Sequence, residues 1–388
     1  LDRIATVEPF IISVPREVPY LGPLGPGESI NERGYLIRKG NRTIYPSTDM
    51  SVLVKVTTEG GVVGWGETYG IAAPQAVVAI IRDLLAPTLT GKDPADAAVL
   101  WQDMYDLMRV RGFFGGFFVD SIAGVDIALW DAAAKIAGLP LAKYLGGVRH
   151  QKIPAYVSGL PKGTLAERVE LAKEWVAKGF KAIKFAAAVS HEGVAREMAA
   201  LREAVGPNIH LMVDMHWKFT AHEAVSLIDR MAPHNLYFAE APCAPEDIDG
   251  LAHVAQHARV PVAAGEEWRT TYEVRPRLER RACSIIQPEM GHTGITQFQA
   301  ICHLAEAFHV KVMPHATIGL GIFMAASLQA SASLSNMPFH EYQHSVFDKT
   351  QRFIKGDMAC EAGFYHLPTG PGLGVEPSDE VWHYLIEA

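Results

Sequence analysis

The sequence predicts an α/β protein: a βα barrel from about residue 141, preceded by a smaller domain of strands and helices. Three observations predict it. Successive short apolar runs between residues 209 and 341 each end in an ionisable side chain: Asp214, Glu240, Glu266, Glu289, His315 and Glu341. The intervals between these residues are 26, 26, 23, 26 and 26, enough for a strand, a helix and short connecting loops. Between the runs the apolar residues recur at helical spacing, so strands and helices alternate. Ionisable groups at the carboxyl ends of successive barrel strands meet at one face of the barrel.

Bulk properties narrow the function. The 388 residues can build two domains and a large core. With 49% hydrophobic and 20% charged residues the chain reads as an ordinary soluble globular protein. A net charge of −8 argues against nucleic acid as partner, yet leaves room for an anionic small molecule at a local cationic site. Cys243, Cys283, Cys302 and Cys360 lack metal or disulfide spacing and read as reduced thiols of a cytoplasmic protein. The start at Leu1-Asp2-Arg3 shows no signal pattern, and the missing Met suggests slight trimming. No 18-residue apolar span is present, so no membrane is expected.

In chain order, residues 4–14 read as a strand and 51–66 as a hairpin turning at Glu59-Gly60-Gly61. Between them, residues 18–47 are rich in Gly and Pro and carry Arg33, Arg38, Lys39 and Arg42 among Tyr20, Tyr35 and Tyr45. That length exceeds a plain hairpin loop and marks a functional or mobile segment. Helices follow at about 74–86, 94–110 and 119–138, the last stopped by Gly138-Leu139-Pro140. This places residues 1–140 in a first domain. Strands are expected near 153–158, 181–186, 209–216, 236–240, 261–265, 283–287, 310–314 and 338–342. Helices fill the gaps near 165–178, 192–205, 221–232, 247–257, 271–280, 294–308 and 319–334, which makes residues 141–345 a barrel with eight strands but seven helices. Residues 346–388, with Gly370, Gly372 and Gly374, are read as an irregular segment returning to the first domain.

The chemistry lies in the strand ends. Asp214, Glu240 and Glu266 would converge from adjacent strands, and three carboxylates without a thiol suit Mg²⁺, or Mn²⁺, rather than zinc. His315 and Glu289 end neighbouring strands, so the carboxylate can orient the imidazole as a base. Strand alternation turns His216 to the same face as Asp214, where it can act as an acid. Lys184 is read as a substrate-carboxylate partner, a base, or half of a buried ion pair. Glu341 is read as a protonated donor to a developing enolate oxygen or as an ion-pair partner. Trp217 and Glu267 are expected to line the pocket, with Arg33 and Arg38 as candidate clamps for a distal carboxylate. A divalent metal beside a His–Glu base suits removal of the proton α to a carboxylate. An acid near a β-hydroxyl then gives dehydration, and a second base on the opposite face gives racemisation.

These residues resemble the enolase superfamily, mandelate racemase subgroup. The resemblance rests on the helix Asp126-Ile127-Ala128-Leu129-Trp130-Asp131, the Leu145-Gly146-Gly147 turn, the ligands Asp214, Glu240 and Glu266, the Gln287-Pro288-Glu289 segment, His315 and Glu341. It implies a TIM-type (β/α)7β barrel with an N-terminal α+β capping domain, an essential Mg²⁺, a mobile specificity loop at 18–47 and homo-oligomers. Asp214-x-His216 resembles galactonate and mannonate dehydratases, in which the histidine expels the 3-hydroxyl. Racemases of the group carry Lys-x-Lys where this chain has Lys184 and Ala186. Glu289 stands where Asp is usual, and Glu240-Ala241-Pro242 replaces Glu-Glu-Pro. The resemblance therefore implies a sugar-acid dehydratase, a hydro-lyase acting on an aldonate or aldarate. The alternatives are an epimerase or lactone cycloisomerase of the same fold and, outside enzymes, a non-catalytic sugar-acid binding protein.

Overall fold

A computed structural model describes residues 2–20, 23–39, 42–316 and 319–386. Its N-terminal part is built on an antiparallel sheet in which Ile4–Pro15 pairs with Thr48–Thr58, and Thr48–Thr58 with Val63–Tyr69. Val52, Val54 and Val56 alternate onto one face and are fully buried with the cap helices, while Leu53 on the other face joins the barrel-side core. The long helix Gly116–Ile136 lies directly on Val63–Tyr69. A Cβ on Gly64 or Gly66 would fall 2.1 or 1.9 Å from the carbonyl oxygens of Ala128 and Gly124, so only glycine allows this approach. The helical run after residue 74 is Pro74–Ile80, a π turn at Ile81–Leu85 and Ala86–Leu89, and Ala97–Arg109 follows.

The second part is the barrel. Its parallel strands are β1 (Lys152–Ser158), β2 (Ala182–Ala186), β3 (His210–Asp214), β4 (Leu236–Glu240), β5 (Val262–Ala264), β6 (Ile285–Ile286), β7 (Lys311–Val312) and β8 (His340–Tyr342). Each pairs with the next as far as β7, and β8 pairs with β1. On the remaining side the Glu341 amide donates to the Pro314 carbonyl at 3.1 Å and brings β8 against β7. The intervening helices are α1 (Leu165–Ala177), α2 (Val194–Val205), α3 (Ala221–Met231), α4 (Ile248–His257), α5 (Thr271–Glu279), α6 (Met290–Ala307) and α7 (Ile322–Ser331). Reciprocal caps between Thr164 and Glu167, Thr220 and Glu223, and Thr270 and Glu273 start α1, α3 and α5. The strand positions follow the alternating pattern closely. Helix α6 begins four residues before the expected 294 and is broken at Gly294 (φ 65°). There the cap's Asp126 accepts from Thr296 N at 2.9 Å and Thr296 Oγ1 at 2.6 Å.

The barrel interior is plugged by Tyr156, Ala182, Met212, Phe238, Ala263, Ile285 and Met313. Two residues further along their strands stand Ser158, Lys184, Asp214, Glu240, Gln287 and His315. A period of two keeps them on the same inward side, one layer above the apolar plug. After β8 there is only the short helix His344–Thr350. The chain then adds the hairpin Cys360–Glu361 and Phe364–His366 to the start of β1, and Leu385–Ile386 to the edge of the cap sheet. Among the described residues no helix is long and apolar enough to cross a membrane.

Candidate active site

At the carboxyl ends of the strands His315 is 9% exposed and sits between carboxylates. Its Nδ1 is 2.7 Å from Glu289 Oε2, and its Nε2 lies 3.2 Å from Glu266 Oε2 and 3.6 Å from Glu341 Oε2. Glu289 is fixed in turn by the Gly291 amide, which donates to Oε1 at 3.1 Å. Burial would lower the imidazole's proton affinity, but Glu266, Glu341 and Glu289 outweigh it and raise the pKa well above 6.5. With Nδ1 held by Glu289, Nε2 is the nitrogen turned to the site.

Lys184 ends up in the third of its expected roles. Its Nζ is 2.8 Å from both oxygens of Glu240 and 2.9 Å from Glu341 Oε1, above the ring of Tyr156. Burial works against the ammonium, yet the two carboxylates hold its pKa well above 10.5, and the contacts seen are those of a buried ion pair. Glu341 shares this ion pair. Burial raises its pKa, but Lys184 and His315 bring it down to about 2, and the carboxylate accepts the Ala316 amide at 3.0 Å.

Asp214 and Glu240 are direct partners across β3 and β4, and Glu266 follows β5 by two residues. Burial raises the pKa of Glu240, and Asp214 and Glu341 add to the rise against Lys184. Burial lifts Glu266 well above 4.5, and Asp214 and Glu240 contribute in the same direction. Five carboxyl groups therefore face one ammonium and two imidazoles, a set of hard oxygen donors with no thiol among them. That donor set fits a hard divalent cation. Among the described residues no three acidic or imidazole side chains are gathered about one point tightly enough to enclose an ion as they stand. Lys184 engages both oxygens of Glu240, and His315 one oxygen of Glu266.

His216 reaches the site by a different route from the one expected. Strand β3 ends at Asp214, and His216 and Trp217 both adopt left-handed backbone at φ 52°. The His216 amide donates to Asp214 Oδ1 at 2.8 Å, and its Nδ1 is 3.2 Å from the same oxygen. A tight turn, not strand alternation, puts the imidazole beside Asp214. Trp217 meets the His216 ring edge-on at 6.3 Å.

Three further expected pocket residues have these surroundings. Glu267 lies with Glu266 in the turn past the end of β5, and burial raises its pKa while Arg277 of α5 works against the rise. Arg38 is spent inside the 18–47 segment. Its Nη1 meets Glu28 Oε2 at 2.7 Å and Pro23 O at 3.0 Å, and its Nη2 donates to Tyr20 O at 2.6 Å. Arg33 is exposed on the turn before the small hairpin Tyr35–Ile37 and Ile44–Pro46. Backbone amides of Gly25 and Lys39 hold the Glu28 carboxyl down to about 2, which keeps the Arg38 clasp ionised throughout the working pH range. Glu28→Ala should make the bonds after Arg33 and Arg38 several-fold more sensitive to trypsin, because it leaves the largely buried Arg38 guanidinium without its carboxylate.

Sequence reasoning missed several residues here. Gln287 donates to Glu240 Oε2 at 2.7 Å, and its position two residues before Glu289 was the available signal. Tyr69, from the cap, stacks on His292 at 4.0 Å, and burial together with Glu289 and Glu266 raises its phenol well above pKa 10, so it remains a donor. His292 and Arg269 both bind the cap's Asp120, with contacts of 2.7 Å each.

Comparison with known proteins agrees with this geometry. Residues 167–381 match the family model described as enolase C-terminal domain-like, and residues 43–146 match the mandelate racemase / muconate lactonizing enzyme N-terminal domain. D-galactarolactone cycloisomerase of Agrobacterium fabrum is 34% identical, over 84% of this chain and 88% of the relative. D-galactonate dehydratase of Ralstonia pickettii is 32% identical, over 86% and 90%. A solved structure of a proposed isomerase from Sinorhizobium meliloti is 58% identical with a TM-score of 0.98, covering 99% of this chain and 100% of that one. With both domains matched and the acid-bearing barrel face in place beneath the cap, the chain belongs to the enolase superfamily, in its mandelate racemase and muconate lactonizing enzyme group.

Proposed function

We propose that the protein is a Mg²⁺-dependent sugar-acid dehydratase that converts an aldonate or aldarate into a 2-keto-3-deoxy acid. One observation carries the reading: His315, oriented through Nδ1 by Glu289 with Nε2 directed into the site, shares that site with a second imidazole, His216, while Lys184 lies between two carboxylates. One base and one acid suit an elimination, whereas a two-base inversion needs a second free base. His315 takes the C2 proton, and the electron pair left behind moves toward the substrate carboxylate. His216 gives its proton to the 3-hydroxyl, the C3–O bond breaks, and water leaves. The resulting enol then tautomerises to the keto acid. Asp214, Glu240 and Glu266 would hold the cation, whose charge would offset the negative charge developing on the substrate carboxylate. Glu289 orients the His315 imidazole through Nδ1 and so directs Nε2 to the substrate, and Lys184 and Gln287 fix the Glu240 carboxylate. The four free cysteines suit a reducing, cytoplasmic setting.

The likeness to D-galactarolactone cycloisomerase supports a second reading on the same residues. There the group leaving the β-carbon is a ring oxygen in place of a hydroxyl, and His315 remains the base. The deciding test offers the Mg²⁺-loaded protein a stereochemically complete panel of aldonic acids, aldaric acids and their lactones, scored for 2-keto acid by semicarbazide. Turnover of open-chain acids supports dehydration, and turnover of lactones alone moves the assignment to the cycloisomerase. Chelation should lower the rate by about 100-fold or more, and added Mg²⁺ should restore it, because such an ion contributes several kcal/mol.

A further inference from the structure

Glu67 is a fully buried carboxylate on the cap strand Val63–Tyr69. Its Oε1 accepts from Ser51 Oγ in the adjacent cap strand and from the Leu320 amide. Its Oε2 accepts from the amides of Ile322 at 2.9 Å and Phe323 at 3.0 Å. Those amides open α7, where the first N–H groups lack partners within the helix and favour a negative charge. The residue in the N-cap position of α7 is Gly321, which has no side chain to supply the acceptor. A carboxylate from the other domain supplies it instead.

The short segment between β7 and α7 carries the base. At its start the His315 amide donates to Pro288 O at 3.2 Å, and the Ala316 amide to Glu341 at 3.0 Å. At its far end the anchoring acceptor comes from the cap. We propose that Glu67 is a positioning residue for His315: it caps α7 in trans and so makes the placement of the barrel's base depend on the docked capping domain. The same strand sends Tyr69 over His292, and Asp120 of the cap binds Arg269 and His292. The cap thus grips the segments that follow β5, β6 and β7, the strands preceding Glu266, Glu289 and His315.

The test compares Glu67→Gln with Asp131→Asn. Asp131 is also a buried cap carboxylate, accepting the Trp65 and Leu373 amides at 2.8 Å each, but it ties the cap to the C-terminal segment and does not touch the His315 segment. In Glu67→Gln the new NH₂ takes the place of one oxygen and faces backbone donors, so amide hydrogen exchange should accelerate about tenfold or more either at Leu320 or at Ile322 and Phe323. In Asp131→Asn those amides should exchange as in the unaltered protein. With the acid sugar found in the panel, kcat of Glu67→Gln should fall about tenfold or more with KM within about threefold, while Asp131→Asn, at a comparable loss of thermal stability, keeps its kcat. This turnover comparison rests on the proposed chemistry, whereas the exchange comparison does not. A chain that turns over no acid sugar sinks the dehydratase and leaves exchange to decide Glu67. Unchanged exchange at the three amides overturns the proposal, as does a kcat loss that tracks stability equally in both variants. Should Glu67→Gln not fold, Glu67→Asp retains the charge with a shorter reach and should show the same split at smaller size.

Discussion

His315→Asn should lower turnover by about 10²- to 10⁴-fold, the usual contribution of a positioned general base. The loss should fall on kcat and kcat/KM together, because the proton is transferred only in the transition state. Asparagine is a conservative probe, since its NH₂ can still donate toward Glu289, whose carboxylate is 1% exposed and would otherwise lose a partner held at 2.7 Å. Leaving that carboxylate bare would cost about 1–3 kcal/mol or more and blur the result with misfolding. Exchange of the C2 hydrogen with solvent deuterium should disappear along with the keto acid. Glu289→Gln is the companion. An amide facing Nδ1 can donate to it and so place the imidazole's proton on Nε2, the nitrogen that must accept. A wrong tautomer of this kind costs about 10⁴-fold in a comparable dyad. Wild-type turnover in His315→Asn would remove His315 as the base, and an active Glu289→Gln would remove the tautomer argument alone.

The barrel was legible because its strands obey one rule. The apolar plug residues Ala182, Met212, Phe238, Ile285 and Met313 and the polar residues two positions later alternate on inward-facing strands, so strand positions and the convergence of Lys184, Asp214, Glu240 and His315 follow from a period of two. Where alternation stops, so does the reading. His216 lies past the strand end in left-handed backbone, and only the turn shows why it meets Asp214. Glu267 was grouped with Glu266 by adjacency in sequence, although both lie in the turn past β5, after Gly265 at φ 118°. Arg38 looked like a substrate clamp because its partner Glu28 and the carbonyls of Tyr20 and Pro23 are brought to it only by the folding of the segment itself. Glu67, Tyr69 and Asp120 act across the domain interface, at separations that no local pattern encodes. The one available hint was an isolated acid in the otherwise uncharged strand Val-Gly-Trp-Gly-Glu-Thr-Tyr.

His216→Asn should separate the two halves of the reaction. Keto-acid formation should fall about 10²- to 10⁴-fold, the range for loss of a general acid. Exchange of the substrate's C2 hydrogen with solvent deuterium should continue within about tenfold of the original rate, since His315 and Glu289 are untouched. The substitution suits the backbone, because asparagine is among the few side chains that accept left-handed conformation readily, and residue 216 sits at φ 52°. The amide of residue 216 can still donate to Asp214 Oδ1, a contact of 2.8 Å made by the main chain and not by the imidazole. The unfolding midpoint should therefore move little, and a change in reaction outcome can be ascribed to the lost proton donor. If exchange and keto acid fell in parallel, His216 would be acting on Asp214 and not on the leaving hydroxyl. If keto acid formed at the original rate, the departing oxygen would need no proton from this side chain. That outcome fits a lactone ring oxygen, which leaves as a stable carboxylate, better than a hydroxyl, and it would shift the assignment to the cycloisomerase on chemical grounds alone.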